Sequence, residues 1–218
     1  AAADVYKRQP QYWAWRLCGV PASEVTSIGC HAHLWEPRKR CFSSLVERQR
    51  WTRLFPALQP AYAALGTVRP SIAADTGLPS DCTVYNGIHD TNSAYSLYLK
   101  GRQTPFNLVS TGTWVIMINP RLQLDRLNEE RDTLAMVDLM GDPLPVARYM
   151  GGREFEILAD EAGVEREFTE ADLRKVIAQG SMLLPAYTPG GPFMNRRGST
   201  RGPEPQNNGE LLARATLY

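Results

Sequence analysis

A strand-like run that breaks at a glycine and restarts at once as a helix constrains this chain more than any other feature. Cys82-Thr83-Val84-Tyr85 is short, apolar and β-branched, and Ser93 to Leu99 reads as a helix. Between them lies Asn86-Gly87-Ile88-His89-Asp90-Thr91-Asn92. Such a corner exposes side chains that a strand or helix would bury, so it can aim a carboxylate into a cleft. Asp90 stands close to the helix start, where the helix dipole favours its ionised form. A carboxylate so placed can serve as general base to a hydroxyl. The plainer reading is an N-cap aspartate, satisfied by the amides that follow it.

A second corner follows at Val109-Ser110-Thr111-Gly112-Thr113-Trp114. Leu108 to Ile118 reads as a β-hairpin with Thr111-Gly112 at its turn. Glycine lets a phosphate approach backbone amides, and Thr111 and Thr113 add hydroxyl donors. A plain hairpin turn fits the same residues.

The rest of the pattern is mixed α/β. Pro10 to Leu17 predicts a helix that stops at Gly19, with Tyr12, Trp13, Trp15 and Leu17 giving it enough apolar surface to be buried. Glu24 to Trp35 alternates weakly, as a strand would. Ser44-x-x-Glu47 is a capping-box pattern for a helix through Leu54, stopped by Pro56. Leu65 to Val68 and Thr76 to Pro79 read as turn-rich connectors, and Lys100-Gly101 as the helix stop after Leu99. Arg131 to Asp138 and Val146 to Tyr149 are strands around a Gly141-Asp142-Pro143 turn. Helices are expected from Met150-Gly151-Gly152 to Ala162, from Thr169 (capped with Asp172) to Ala178, and from Glu210 onward. Met182 to Tyr187 predicts a buried strand, and Thr188 to Gly209 a long loop. Gly151-Gly152-Arg153 could hold an anion at a helix start, or simply make the turn. The composition shifts near Gly101 to Pro105, which places a boundary between residues 10–101 and 102–218.

The chain has 218 residues with a net charge of +1, so charge does not point to nucleic acid or an anionic membrane. Arg196, Arg197 and Arg201 lie in the glycine- and proline-rich loop without interleaved aromatics, as in a solvated loop. Four irregularly spaced cysteines, Cys18, Cys30, Cys41 and Cys82, fit reduced thiols in a cytoplasm. His31 and His33, on a strand, would put both rings on one face. With His89, Asp90, Cys30 and Cys82 they raise a metal-dependent hydrolase as an alternative. The spacings match no zinc-ribbon or metalloprotease pattern, and no metal ligand is assigned. Residues 1–9 are set apart. Asp4 to Gln9 resembles a sequencing-library adapter read in frame, so the natural sequence is expected to begin near Pro10, as an internal fragment of a longer protein.

In order, these motifs resemble the FGGY family of carbohydrate kinases, which includes rhamnulokinase, fuculokinase and xylulokinase. Arg16-Leu17-Cys18-Gly19 is similar to the family's Leu-Thr-Gly segment, and Glu24-Val25-Thr26-Ser27 to its acidic-x-Thr segment. Gly87-Ile88-His89-Asp90 is similar to its Gly-x-x-Asp corner, and Ser110-Thr111-Gly112-Thr113-Trp114 to its phosphate hairpin. Leu184-Pro185 and Gly190-Gly191-Pro192-Phe193 resemble later segments. The resemblance implies ribonuclease-H-like (actin-like) α/β domains around a cleft, with the sugar mainly on the N-terminal side. ATP and Mg²⁺ would lie mainly on the C-terminal side. It implies Asp90 as catalytic base, Thr111, Gly112 and Thr113 on the nucleotide phosphates, and His31, His89 and Asp90 on the substrate. The partner implied is a small sugar or polyol, with no nucleic acid and no membrane; a homodimer is allowed. The family's Asp-x-Gly-Thr loop and adenosine loop have no counterpart in these residues, so the chain alone is expected to be inactive. A non-catalytic sugar-binding relative is the other alternative.

Overall fold

Pro10 lies in the first turn of helix α1 (Gln9–Cys18), where its missing N–H costs nothing. Gly19 ends the helix at φ +88°, its N–H donating to the Trp15 carbonyl. The computed structural model describes residues 9–30, 32–99, 105–162, 167–193 and 196–217. His31 and the Lys100-Gly101 helix stop therefore fall outside the described residues. The chain forms two compact units, Ala1–Pro105 with Ala135–Leu144, and Phe106–Leu134 with Pro145–Tyr218.

In the first unit the expected burial of α1 is corrected. Gln11 and Ala14 are its buried residues, whereas Trp13 is 61% exposed and Tyr12 and Trp15 are exposed beside it. The inward face, at i and i+3, carries the small and polar residues, so the aromatic rings fall on the other side. The expected strand at Glu24 to Trp35 is also corrected. Glu24 caps a short helix, α2 (Val25–Gly29), by accepting from the Thr26 and Ser27 amides. At the far end of that run Trp35–Glu36 forms strand β1, which pairs with β2 (Cys41–Phe42). The Ser44 helix is shorter than expected. α3 spans Ser44–Arg48 behind an N-cap, Ser43, that makes no side-chain cap bond, and a 3₁₀ turn covers Trp51–Leu54.

Of the two expected connectors, Leu65 to Val68 is mostly strand, whereas Thr76 to Pro79 is the link that follows a helix. Ala64–Thr67 is strand β3, and Pro70–Thr76 is helix α4, closed by Gly77 at φ +75°. β3 pairs antiparallel with β4 (Thr83–Tyr85), which leads to α5 (Asp90–Leu99). Ala14, Val68 and Val84 form the core here, with Leu17, Leu65, Ile72 and Cys82 packed around them.

The second unit is built on a sheet of order β5-β6-β8-β7. β5 (Leu108–Ser110) and β6 (Val115–Ile118) are the expected hairpin, joined through Thr111–Trp114. β7 (Thr133–Val137) and β8 (Pro143–Tyr149) flank a turn with Gly141 at φ +79°. The stretch Ala135–Leu144, across that turn, belongs with the first unit. Helices α6 (Gly151–Ala162) and α7 (Glu170–Ala178) follow, the latter with the Thr169–Asp172 capping box formed in both directions. β9 (Met182–Leu184) is half-exposed rather than buried, with only Leu183 inside; it pairs with β10 (Ser199–Arg201), which interrupts the expected long loop. Helix α8 (Asn208–Thr216) packs on α6 and α7. Leu158, 2% exposed, is packed with Leu183 and Ala215. Replacing it with Ala should cost about 2–5 kcal/mol, read as a lower urea midpoint with an unchanged slope.

Candidate active site

The acid corner is assembled from buried polar groups. Asn86, fully buried, follows β4 and donates from Nδ2 to the Ser23 and Gln59 carbonyls at 3.1 and 2.9 Å. Gly87 turns the chain at φ +85°, and a Cβ there would lie 2.9 Å from Pro10 Cβ, so the fold itself requires this glycine. The His89 amide donates to Thr26 Oγ1 at 3.1 Å, and that hydroxyl donates to Glu24 Oε2 at 2.6 Å. The corner is thereby tied to the cap of α2. Asp90 opens α5, and its side chain is 93% exposed. Its Oδ1 accepts from the Thr91 amide at 2.6 Å and stands 3.3 Å from His89 Nε2. Helix start and open carboxylate are thus one residue. The exposure leaves the carboxylate open to a ligand hydroxyl.

Behind the corner lies a group that sequence reasoning missed. Asn92, 1% exposed, accepts at Oδ1 from Cys30 Sγ at 3.2 Å and meets His89 Nδ1 at 2.8 Å. Its Nδ2 donates to the Val137 carbonyl. The three-residue spacing of His89, just before α5, and Asn92, in its first turn, was the available signal. Burial pushes the Cys30 thiol up to about 12. Since the folded value is raised above that of an ordinary thiol, this group's contribution to stability is intact below pH ~9 and is lost between pH ~9 and 12. Native protein at pH 8 should therefore leave Cys30 unalkylated by iodoacetamide while denatured protein is modified there; mass spectrometry of tryptic peptides reads the difference.

In the second unit, Thr111, Gly112 and Thr113 are all exposed at the hairpin turn. Among the described residues, a Cβ built on Gly112 would meet only the Trp114 carbonyl oxygen, at 3.7 Å. The chain's own packing does not demand a glycine there, and the turn presents an open backbone face. Gly152 is the reverse case: its Cβ would lie 2.5 Å from the Gly112 oxygen and 2.7 Å from Thr113 Cα. Gly151 would drive a Cβ to 2.8 Å from Val115 Cγ2. These two glycines bring the start of α6 onto the hairpin turn, so packing explains the Gly-Gly pair. Arg153 turns away to Glu156 at 2.9 Å. Glu154, fully buried, fixes the helix start by accepting from Tyr149 Oη at 2.6 Å and from the Thr188 amide and hydroxyl at 3.0 and 2.8 Å. Arg148, paired with Asp132 at 2.9 Å, sits over the Trp114 ring at 5.5 Å and braces the far side of the turn.

The hydrolase constellation gains no support. His33 is not on a strand; it is exposed at φ +51°, and its carbonyl accepts from Ser43 Oγ. His31 lies outside the described residues. Among the described residues no three His, Cys, Asp or Glu side chains gather as a metal cage. The cysteines are free thiols, and no described helix is long and apolar enough to cross a membrane.

Residues 103–218 match the family described as carbohydrate kinase FGGY, C-terminal domain. The chain belongs to the FGGY carbohydrate kinases. Among curated FGGY relatives, the L-fuculokinase of Escherichia coli (strain K12) is 31% identical over 112 residues, 50% of this chain and 23% of that protein. Among solved structures, a carbohydrate kinase from Novosphingobium aromaticivorans is 38% identical with a TM-score of 0.74, over 95% of this chain and 47% of that one. Plasmodium falciparum glycerol kinase, solved with ADP, is 13% identical with a TM-score of 0.64, over 95% of this chain and 43% of that one. That likeness speaks to the fold alone. The fold is the actin-like α/β fold of the FGGY sugar kinases, and the chain spans less than half the length of each of these relatives.

Proposed function

We propose that this FGGY chain serves an ATP-dependent kinase that phosphorylates a hydroxyl of a sugar or polyol. Asp90 is the general base: it takes the proton of the acceptor hydroxyl as that oxygen takes the phosphoryl group. Thr111, Gly112 and Thr113 lie on the nucleotide phosphates, with His89 and His31 on the sugar. In this reading residues 10–101 belong to the sugar-binding domain and 102–218 to the nucleotide-binding domain. The observation that carries it is Gly112, a glycine the fold does not need, on an open hydroxyl-lined turn against a helix start. Phosphoryl transfer depends on positioning and on donors at the phosphates, and that turn can supply both.

Mg²⁺ fits as an ion carried with the nucleotide. It is commonly held by phosphate oxygens, waters and one or two carboxylates, so no cage of protein ligands is required. When bound it would offset charge on the phosphates. By likeness to relatives such as L-fuculokinase, the first candidates are ketoses, a deoxy-ketohexose or a ketopentose. The test is a coupled ADP-release screen of the full-length enzyme against ketoses, aldoses and polyols. Sugar-dependent ADP release is expected for one class. Sugar binding without ADP release would favour a non-catalytic relative.

A further inference from the structure

The hydrogen bonds behind the acid corner determine where its protons sit. Asn92 Nδ2 donates to the Val137 carbonyl, so Oδ1 is the opposite end of the amide and can only accept. Two groups meet that oxygen, Cys30 Sγ at 3.2 Å and His89 Nδ1 at 2.8 Å. The Cys30 thiol keeps its proton and donates. His89 Nδ1 must therefore carry hydrogen as well. In a neutral imidazole that leaves Nε2 as an acceptor. This nitrogen stands 3.3 Å from Asp90 Oδ1, itself an acceptor when ionised. Two acceptors at that distance define a place for one shared proton. Among the described residues, Glu24 also faces the corner: its carboxylate accepts from Thr26 and Ser27, bears on the Cys30 thiol through space, and reaches the His89 backbone through the Thr26 hydroxyl.

We propose that Asn92 is a positioning residue that holds His89 as the Nδ1–H tautomer, so that His89 Nε2 takes over the proton Asp90 draws from the acceptor hydroxyl. The proposal rests on the kinase reading of Asp90. The steps balance. The sugar O–H bond breaks and an O–H bond forms on Asp90 while the sugar oxygen gains the phosphoryl group and ADP leaves. The Asp90 O–H bond then breaks and an N–H bond forms at His89 Nε2, leaving an imidazolium beside a carboxylate. Imidazole as a side-chain type is a better proton acceptor than a carboxylate, so the hand-over runs toward His89. Asp90 regains its charge at once, and the proton leaves later from His89 to water.

The tautomer can be measured directly. Two-bond ¹⁵N–¹H correlation of the imidazoles in ¹⁵N-labelled protein at neutral pH should show His89 with a protonated Nδ1 and a bare Nε2. A predominantly Nε2–H ring would overturn the proposal, and this measurement needs no variant to fold. Asn92→Leu, similar in volume but without the acceptor, should release the ring to the Nε2–H form. In the full-length enzyme it should lower kcat about tenfold or more, by a larger factor than any change in sugar KM. An Asn92→Leu enzyme with the tautomer lost and kcat intact would also overturn it. If Asp90→Asn abolishes turnover while Asn92→Leu does not alter kcat, this inference fails alone. If Asp90→Asn leaves turnover intact, the kinase reading itself fails.

Discussion

Asp90→Asn should leave the chain folded and cut turnover of the full-length kinase by at least about a hundredfold. The two halves of that result come from different observations. The side chain is 93% exposed and its described contacts are local: His89 Nε2 stands 3.3 Å away, and the Thr91 amide and hydroxyl donate at 2.6 and 3.4 Å. An asparagine oxygen can accept both, so the melting temperature should stay within a few degrees. What the amide cannot do is take a proton from a hydroxyl. A structural N-cap would predict the opposite pair, a small loss of stability and no loss of rate. Thermal unfolding and ADP release on the same preparation separate the two, and near-wild-type turnover would sink the role assigned to Asp90.

The features legible in the sequence are those whose causes are local. The Thr169–Asp172 box, the Thr111–Trp114 hairpin and the strand–turn–helix corner each depend on residues within a few positions of one another. The misreadings share a different cause. Glu24 to Trp35 alternates like a strand, but Glu24 uses its carboxylate to cap the amides that follow, and capping overrides so weak a period. The aromatic richness of α1 counted hydrophobic residues without asking which face they occupy. The half-exposed β9 read as buried because a short apolar run does not reveal how many faces are covered. The polar groups that fix the site could not be paired from sequence, because their partners are distant. Asn92 reaches Val137, 45 residues on, and Glu154 reaches Thr188, 34 residues on. Asn86 reaches back 63 residues to Ser23. Long-range pairing of this kind leaves no periodic trace.

Gly112→Ala and Gly152→Ala should behave as opposites although the two glycines touch. At Gly152 the added Cβ would sit 2.5 Å from a backbone oxygen and 2.7 Å from a backbone carbon. Neither can swing aside as a side-chain end would, so the start of α6 and the hairpin turn must separate. That should cost about 1–3 kcal/mol, and because the turn moves, nucleotide affinity should fall with it. At Gly112 the added Cβ would meet one oxygen at an ordinary 3.7 Å, and stability should change by no more than about 0.5 kcal/mol. If phosphate oxygens approach the backbone there, the methyl group stands in their way, and ATP KM should rise about tenfold, equivalent to about 1.4 kcal/mol of lost binding. Urea unfolding and nucleotide titration on both variants decide the matter. A Gly112→Ala protein that is as stable as wild type and binds ATP as well would remove the turn from the nucleotide site. An intact fold with weakened ATP binding is a result that a plain hairpin turn cannot produce.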